Sequence, residues 1–80
     1  MTNELDRADA LAKLRAGYRL RVRPLTGGLR FAFLQSPSGD TARTFVVALA
    51  LADALIADGT VTHRRRTKLG ADVYGLTADP

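Results

Sequence analysis

Apolar residues recur along the chain with two periods, one typical of helices and one typical of strands. Residues 4–16 repeat apolar positions every three or four residues and end before Gly17, which predicts an amphipathic helix. Residues 41–57 follow Asp40, a favourable helix cap, and stop before Gly59, so their apolar residues indicate a second helix. This helix is apolar nearly all round, and we expect more than one side of it to be buried.

Alternation of apolar and polar residues predicts four strands, at residues 18–24, 29–35, 60–66 and 72–77. They form two hairpins, and a turn at residues 26–28 closes the first of them. We place Pro24 opposite Leu29. This register puts Phe31 and Phe33 on the apolar face of the first hairpin and leaves arginines on the other face.

The order of these elements predicts one α+β domain over residues 1–80. We expect an α-β-β-α-β-β order that folds as a four-stranded antiparallel or mixed sheet with both helices on one face, a ferredoxin-like arrangement with permuted ends. Residues 4–35 and 41–77 share the order helix, strand, turn, strand, which we interpret as two weak repeats. A winged helix is the competing interpretation, and it needs a helix within residues 18–35.

Composition places the chain among ordinary globular proteins and excludes several chemistries. Of its 80 residues, 46% are hydrophobic and 25% are charged, and none is cysteine. The lack of cysteine excludes disulfides, a thiolate nucleophile and a cysteine-based zinc site. No apolar run approaches the roughly 20 residues of a membrane-spanning helix. Residues 1–16 lack the apolar segment of a signal peptide, so we expect a cytoplasmic protein.

Positive charge is concentrated in two segments of the chain. The net charge is +4, and ten of the twelve basic residues are arginine. Residues 17–35 and 60–71 contain arginines and no acid, a segregation that bears on binding partners rather than on fold. In the predicted registers Arg65 lies opposite Asp72 at the rim of the sheet. Six arginines point away from the helices, namely Arg19, Arg21, Arg23, Arg30, Arg64 and Arg66.

These arginines predict a surface that binds an acidic partner. The planar guanidinium group binds phosphate through two parallel hydrogen bonds, which favours a small basic protein that contacts the backbone of DNA or RNA. Because every aromatic ring faces inward in these registers, we expect duplex or backbone recognition rather than base stacking. The expected contact residues are Arg19, Arg21, Arg23, Arg30, Arg64, Arg65, Arg66 and Lys68.

Two alternatives remain for the same arginines. In the first, they dock on an acidic protein surface, and the chain is a protein-binding module or inhibitor, for example a phage or mobile-element factor acting on a host complex. In the second, they form an ordinary solvated face. A surface with a single sign of charge is unusual for such a face, because opposite pairs stabilise slightly and like charges repel.

Catalysis is not expected from this sequence. His63, the only histidine, would be the general acid or base of a small ribonuclease, but the predicted register turns it away from the arginines and packs it against Tyr74. One histidine and scattered carboxylates offer no metal site. The Gly27-Gly28 pair is a turn rather than a phosphate-binding loop. We therefore predict no cofactor, no metal and no enzymatic activity.

The second predicted helix has more apolar surface than the first helix can cover. We therefore expect a homodimer interface on it, with a monomer as the alternative, since its small residues allow close packing of helices. The expected interface residues are Val46, Val47, Ala50, Leu51 and Ala54.

Overall fold

Residues 6–37 and 44–78 are described in a computed structural model of the chain. The two helices are α1 (Arg7–Arg15) and α2 (Leu49–Ala57). The five strands are β1 (Arg19–Pro24), β2 (Arg30–Gln35), β3 (Thr44–Val47), β4 (Val61–Arg66) and β5 (Asp72–Leu76). The predicted helix start at residues 4–5, the Asp40 cap and residues 41–43 lie outside the described residues. Neither described helix is long and apolar enough to span a membrane.

The strands form one antiparallel sheet in the order β3-β2-β1-β5-β4. This confirms the α+β class, but the sheet has five strands where the alternation predicts four. The two hairpins, β1–β2 and β4–β5, meet through β1 and β5, and β3 extends the sheet beyond β2. Residues 18–35 contain a single 3₁₀ turn at Thr26–Gly28 between two strands, so the helix that a winged-helix fold needs there is not present.

Both helices pack on one side of the sheet, which we call the helix face. Ala10 and Leu14 of α1 and Ala52 and Leu55 of α2 are almost fully buried. They contact buried strand residues, namely Leu20, Val22, Ala32, Leu34, Val47 and Val61. Removing each large aliphatic side chain from water contributes about 1.5–3 kcal/mol. The opposite side of the sheet, which we call the outer face, is covered by neither of the described helices.

The register of the first hairpin differs by one residue from the prediction. Pro24 lies opposite Arg30 rather than Leu29. The cause is the turn, which closes when the Leu25 N–H donates to the Leu29 carbonyl at 2.7 Å. Gly27 in this turn has a φ of +77°, a conformation that favours glycine.

This shift turns β2 over. Ala32 and Leu34 point to the helix face, opposite Val22 and Leu20 of β1, and both are buried. The side chains on the other side of β2 therefore lie on the outer face, in line with the arginines. Because β2 is apolar on both sides, the shift exchanges one set of apolar residues for another without burying a charge.

The first part of the predicted second helix is a strand. Ala48 has an extended backbone (φ −60°, ψ 138°), and α2 begins only after it. In β3, Phe45 and Val47 pair with the inward residues of β2, whereas Val46 lies on the outer face. β-Branched residues favour a strand, and a short apolar run does not by itself distinguish the two structures. The prediction of one helix over residues 41–57 is therefore wrong.

A β-bulge changes the second half of β4. Up to His63, its pairing with β5 matches the predicted register. The register then shifts, and Arg65 lies opposite Val73 instead of Asp72. Arg64 is the extra residue, and a bulge of this kind turns successive side chains to the same side of the sheet.

Equivalent elements of the two predicted repeats begin at a constant offset. α1, β1 and β2 begin at residues 7, 19 and 30, whereas α2, β4 and β5 begin at residues 49, 61 and 72. The strand β3 lies within the second predicted unit, ahead of α2, and pairs with β2 of the first hairpin. The interpretation of the units as repeats stays a prediction.

Candidate functional site

The outer face of the sheet carries five arginines, Arg19, Arg21, Arg23, Arg64 and Arg65. Those of β1 alternate with Leu20 and Val22, which point to the helix face. In β4, Arg64 lies on the side that the alternation predicts, and the bulge turns Arg65 to the same side. Asp72 is the only acidic residue in the described strands, and its pairing with Val22 places it on the helix face. Lys68 lies exposed in the turn between β4 and β5. The described part of the outer face therefore carries positive charge, and it contains no acidic residue from a strand.

Arg19 and Arg64 approach each other over Gly75 of β5. A Cβ atom added at Gly75 would lie 3.0 Å from Arg19 Nη1 and 3.0 Å from Arg64 Nε. Arg64 also donates from Nη2 to the Leu76 carbonyl oxygen at 2.5 Å, which holds its guanidinium group along β5. A phosphate oxygen placed beside Gly75 would accept hydrogen bonds from both guanidinium groups.

These arginines border an open depression of about 400 Å³. Its lining residues are Arg19, Arg21, Gln35, Ser36, Pro37, Arg64, Arg65 and Val73. The Nε atom of Arg21 is buried, and none of the described residues accepts a hydrogen bond from it. A buried donor without an acceptor costs about 1–3 kcal/mol.

Two of the predicted contact residues lie on the helix face instead. Arg30 binds Asp53 of α2, with Nη2 3.1 Å from Oδ2, because the shifted register turns Arg30 to that side. Arg66 donates from Nε to Asp72 Oδ1 at 3.0 Å, because the bulge moves Arg66 opposite Asp72. The hydrogen bond from Arg66, followed by that from His63, lowers the pKa of Asp72. Each of these two arginines therefore has a local carboxylate partner.

Beside the arginines, the outer face presents two aromatic rings. Phe31 and Phe33 of β2 have ring centroids 5.6 Å apart and planes inclined by 30°, and Phe31 is 36% exposed. They border a second open depression, of about 450 Å³. Its lining residues are Arg21, Arg23, Phe31, Phe33, Gln35, Thr44, Val46 and Leu69. The prediction that all aromatic rings face inward is therefore wrong, and the argument against base stacking no longer holds.

His63 lies on the helix face at the edge of the sheet, away from these arginines. Its ring packs edge-to-face against Tyr74 with centroids 5.4 Å apart, which confirms the predicted contact. Its Nε2 is 3.1 Å from Asp72 Oδ1, and its side chain is 49% exposed. Burial raises the pKa of Tyr74. Within the two described segments, no three His, Cys, Asp or Glu side chains are grouped to hold a metal ion.

The five residues of the predicted dimer interface do not share one surface. Val47 is part of the core, Val46 lies on the outer face, and Leu51 packs against the core. Ala50 and Ala54 are exposed on α2. The prediction depended on one long helix, and because residues 44–47 form β3 instead, the five residues lie on different sides of the molecule.

The sequence pattern does not place three of the residues that the structure brings to the outer face. Phe31 and Phe33 were assigned to the core, and Gly75 was given no role. The available signal was that residues 31–34 are apolar at every position, so either side of β2 is suited to the core. Nothing in the sequence marks Gly75, because its role depends on arginines from two other strands.

Comparison with known proteins yields no relative. No protein-family model matches the chain, no curated protein matches it, and no solved structure matches its fold. A functional hypothesis therefore rests on the geometry and charge of the outer face itself.

Proposed function

We propose that this protein binds nucleic acid by contacting backbone phosphates with the arginines of its outer face. The observation that carries the proposal is the convergence of Arg19 and Arg64 over Gly75, within a described face that has no acidic strand residue. Guanidinium groups bind phosphate oxygens with paired hydrogen bonds, and regularly spaced phosphates suit a row of arginines along β1.

The salt dependence of binding tests this proposal. The affinity for a labelled oligonucleotide is measured by fluorescence anisotropy between about 50 and 200 mM salt. Each phosphate contact releases counterions, so the log–log slope is about −0.7 to −0.9 per contact. We expect Arg21→Ala and Arg65→Ala each to weaken binding of every sequence and to reduce the slope by about one unit or slightly less.

Two arginines of the helix face provide matched controls. Arg30→Ala and Arg66→Ala remove the same charge from the protein, but their side chains bind Asp53 and Asp72. We expect these variants to retain the wild-type slope and most of the affinity. A control variant that loses as much slope as Arg21→Ala would show that net charge, not the outer face, governs binding. Wild-type protein with no affinity for any nucleic acid at about 50 mM salt would refute the proposal.

A protein partner with an acidic surface is the second candidate. The observation that favours it is a group of exposed apolar side chains at one end of the sheet, where Leu69 is 91% and Leu29 is 66% exposed. Large exposed apolar residues beside arginines are typical of protein interfaces. In that case alanine substitution would identify one or two dominant arginines, whereas phosphate contacts contribute similar amounts.

The other functional predictions follow from the same hypothesis. We propose a binding role without catalysis, because His63 lies on the opposite face from the arginine site. A cytoplasmic location and a phage or mobile-element origin stay predictions.

A further inference from the structure

The outer face contains two adjoining depressions of different chemistry. The first is bordered by four arginines, and the second is bordered by Phe31 and Phe33. Arg21 and Gln35 line both of them, so the two depressions adjoin at these side chains. A nucleotide has the same two parts, an anionic phosphate and an apolar aromatic base. One strand of nucleic acid laid across β1 and β2 therefore meets matching chemistry in both depressions.

The phenylalanines need an explanation of their own. In most antiparallel sheets with one solvated side, apolar residues face the core and polar residues face water. Phe31 and Phe33 instead lie on the outer face. Val46 of β3, which pairs with Phe33, is also 38% exposed, so the apolar area extends across two strands. The mutual packing of the rings, with centroids 5.6 Å apart, covers only part of this surface. An aromatic ligand would cover the rest.

We propose that Phe31 and Phe33 stack on bases and give this protein a preference for single-stranded over duplex nucleic acid. This proposal rests on the proposed nucleic-acid binding. In a duplex the base faces are stacked on one another and cannot reach a ring on a protein surface. In a single strand they are accessible, and stacking on aromatic side chains tolerates any base because every base has an aromatic face. Arg21 lies between the two depressions, where it binds the phosphate that joins successive nucleotides.

A competition between single-stranded and duplex DNA tests this proposal. The probes are a mixed-sequence oligodeoxynucleotide of about 12 nucleotides, within the site sizes of such proteins, and the duplex of the same sequence. We expect the wild-type protein to bind the single strand at least about tenfold more tightly, and Phe31→Leu and Phe33→Leu each to weaken that binding by roughly 5- to 100-fold, the effect of one lost base stack. The leucine variants keep an apolar side chain, and their affinity for the duplex stays unchanged.

Two controls separate base stacking from other effects. Phe45→Leu makes the same substitution on the helix face, where Phe45 packs against Tyr18, and it leaves the preference for single strands intact in folded protein. An abasic oligonucleotide of the same length retains the phosphates, and wild-type protein and Phe33→Leu bind it equally. Circular dichroism of each variant confirms that the sheet is formed before affinities are compared.

The outcomes distinguish the two proposals. Equal binding of single strand and duplex, with no effect of the leucine variants, overturns base stacking and leaves the phosphate-binding proposal standing. No binding of either form overturns the phosphate-binding proposal and base stacking with it. The same phenylalanine variants would then be measured for loss of affinity toward an acidic protein, the second candidate partner.

Discussion

Arg19 of β1 and Arg64 of β4 belong to strands that are not neighbours, yet their guanidinium groups meet over Gly75 of the strand between them. This arrangement depends on the lack of a side chain at Gly75, since a Cβ there would lie 3.0 Å from a nitrogen of each arginine. Two arginines held together in this way form the centre of the proposed phosphate site.

Gly75→Ala is expected to weaken nucleic-acid binding without destabilising the fold. Among the described glycines, Gly75 alone has no positive φ, so alanine fits its backbone, and the atoms it would displace are ends of flexible side chains. We expect affinity to fall about tenfold, comparable to one charge-assisted hydrogen bond. The unfolding midpoint stays the same or rises, because alanine in a strand is less costly than glycine. Equal affinity of wild type and variant would mean that the convergence of Arg19 and Arg64 does not contribute to binding.

The register of the first hairpin predicts effects of different size for two apolar substitutions in β2. Leu34 is 0% exposed, so Leu34→Ala should lower the free energy of unfolding by about 2–5 kcal/mol, the usual cost of such a cavity. Phe31 lies on the outer face and is 36% exposed, so Phe31→Ala should cost less than Leu34→Ala. Urea denaturation monitored by circular dichroism measures both. The reverse order would favour the register with Pro24 opposite Leu29.

Acid should weaken the connection between α1 and the end of α2. The side-chain and backbone hydrogen bonds from Thr60, with the contact to Arg7, lower the pKa of Asp58 from its ordinary 3.8 to about 2. The distances are 2.9 Å from Thr60 N to Asp58 Oδ1 and 2.6 Å from Arg7 Nη2 to Asp58 Oδ2. Because the pKa is lower in the folded state, Asp58 stabilises the protein above pH 3.8, and this contribution is lost as the pH falls toward 2.

Two substitutions at Asp58 test this contribution. Asp58→Asn retains an oxygen that accepts the Thr60 N–H but removes the charge, so its unfolding midpoint should depend less on pH than that of wild type between pH 3.8 and 2. Asp58→Ala removes the acceptor as well and should be less stable than Asp58→Asn at neutral pH. Thermal denaturation across this range measures the difference. Identical pH profiles for wild type and Asp58→Asn would assign the acid dependence to other carboxylates.

Substitution of Leu51 should affect folding rather than association. Leu51 packs against the core from α2, and the other apolar residues that the sequence assigned to a dimer surface are distributed over different sides of the molecule. We expect wild-type protein to sediment as a monomer at high micromolar concentration and Leu51→Glu to lower the unfolding midpoint, because it buries a charge. A wild-type dimer that Leu51→Glu converts to a stable, folded monomer would restore the dimer prediction.

The sequence alone determined those helices and strands in which the apolar residues follow one clear period. Residues 18–24 alternate arginine with apolar residues, and burying the arginine side would be prohibitive, so β1 has only one orientation. The same reasoning predicted the hairpin of β4 and β5 up to His63, and it identified four of the five outer-face arginines. The sequence predicts that the first helix ends at residue 16, before Gly17, and α1 ends at Arg15.

The tertiary structure decided those features for which the sequence allows two solutions. The segment Phe31-Ala32-Phe33-Leu34 is apolar on both sides, so the turn geometry at residues 25–29 selected the register. Residues 44–47 suit a helix or a strand, and pairing with the free edge of β2 made them a strand. The bulge at Arg64 has no marker in the sequence, and it reversed the sides of Arg65 and Arg66. In each case the local sequence favours neither of two structures strongly. Contacts between residues distant in the chain therefore supply the free energy that selects one of them.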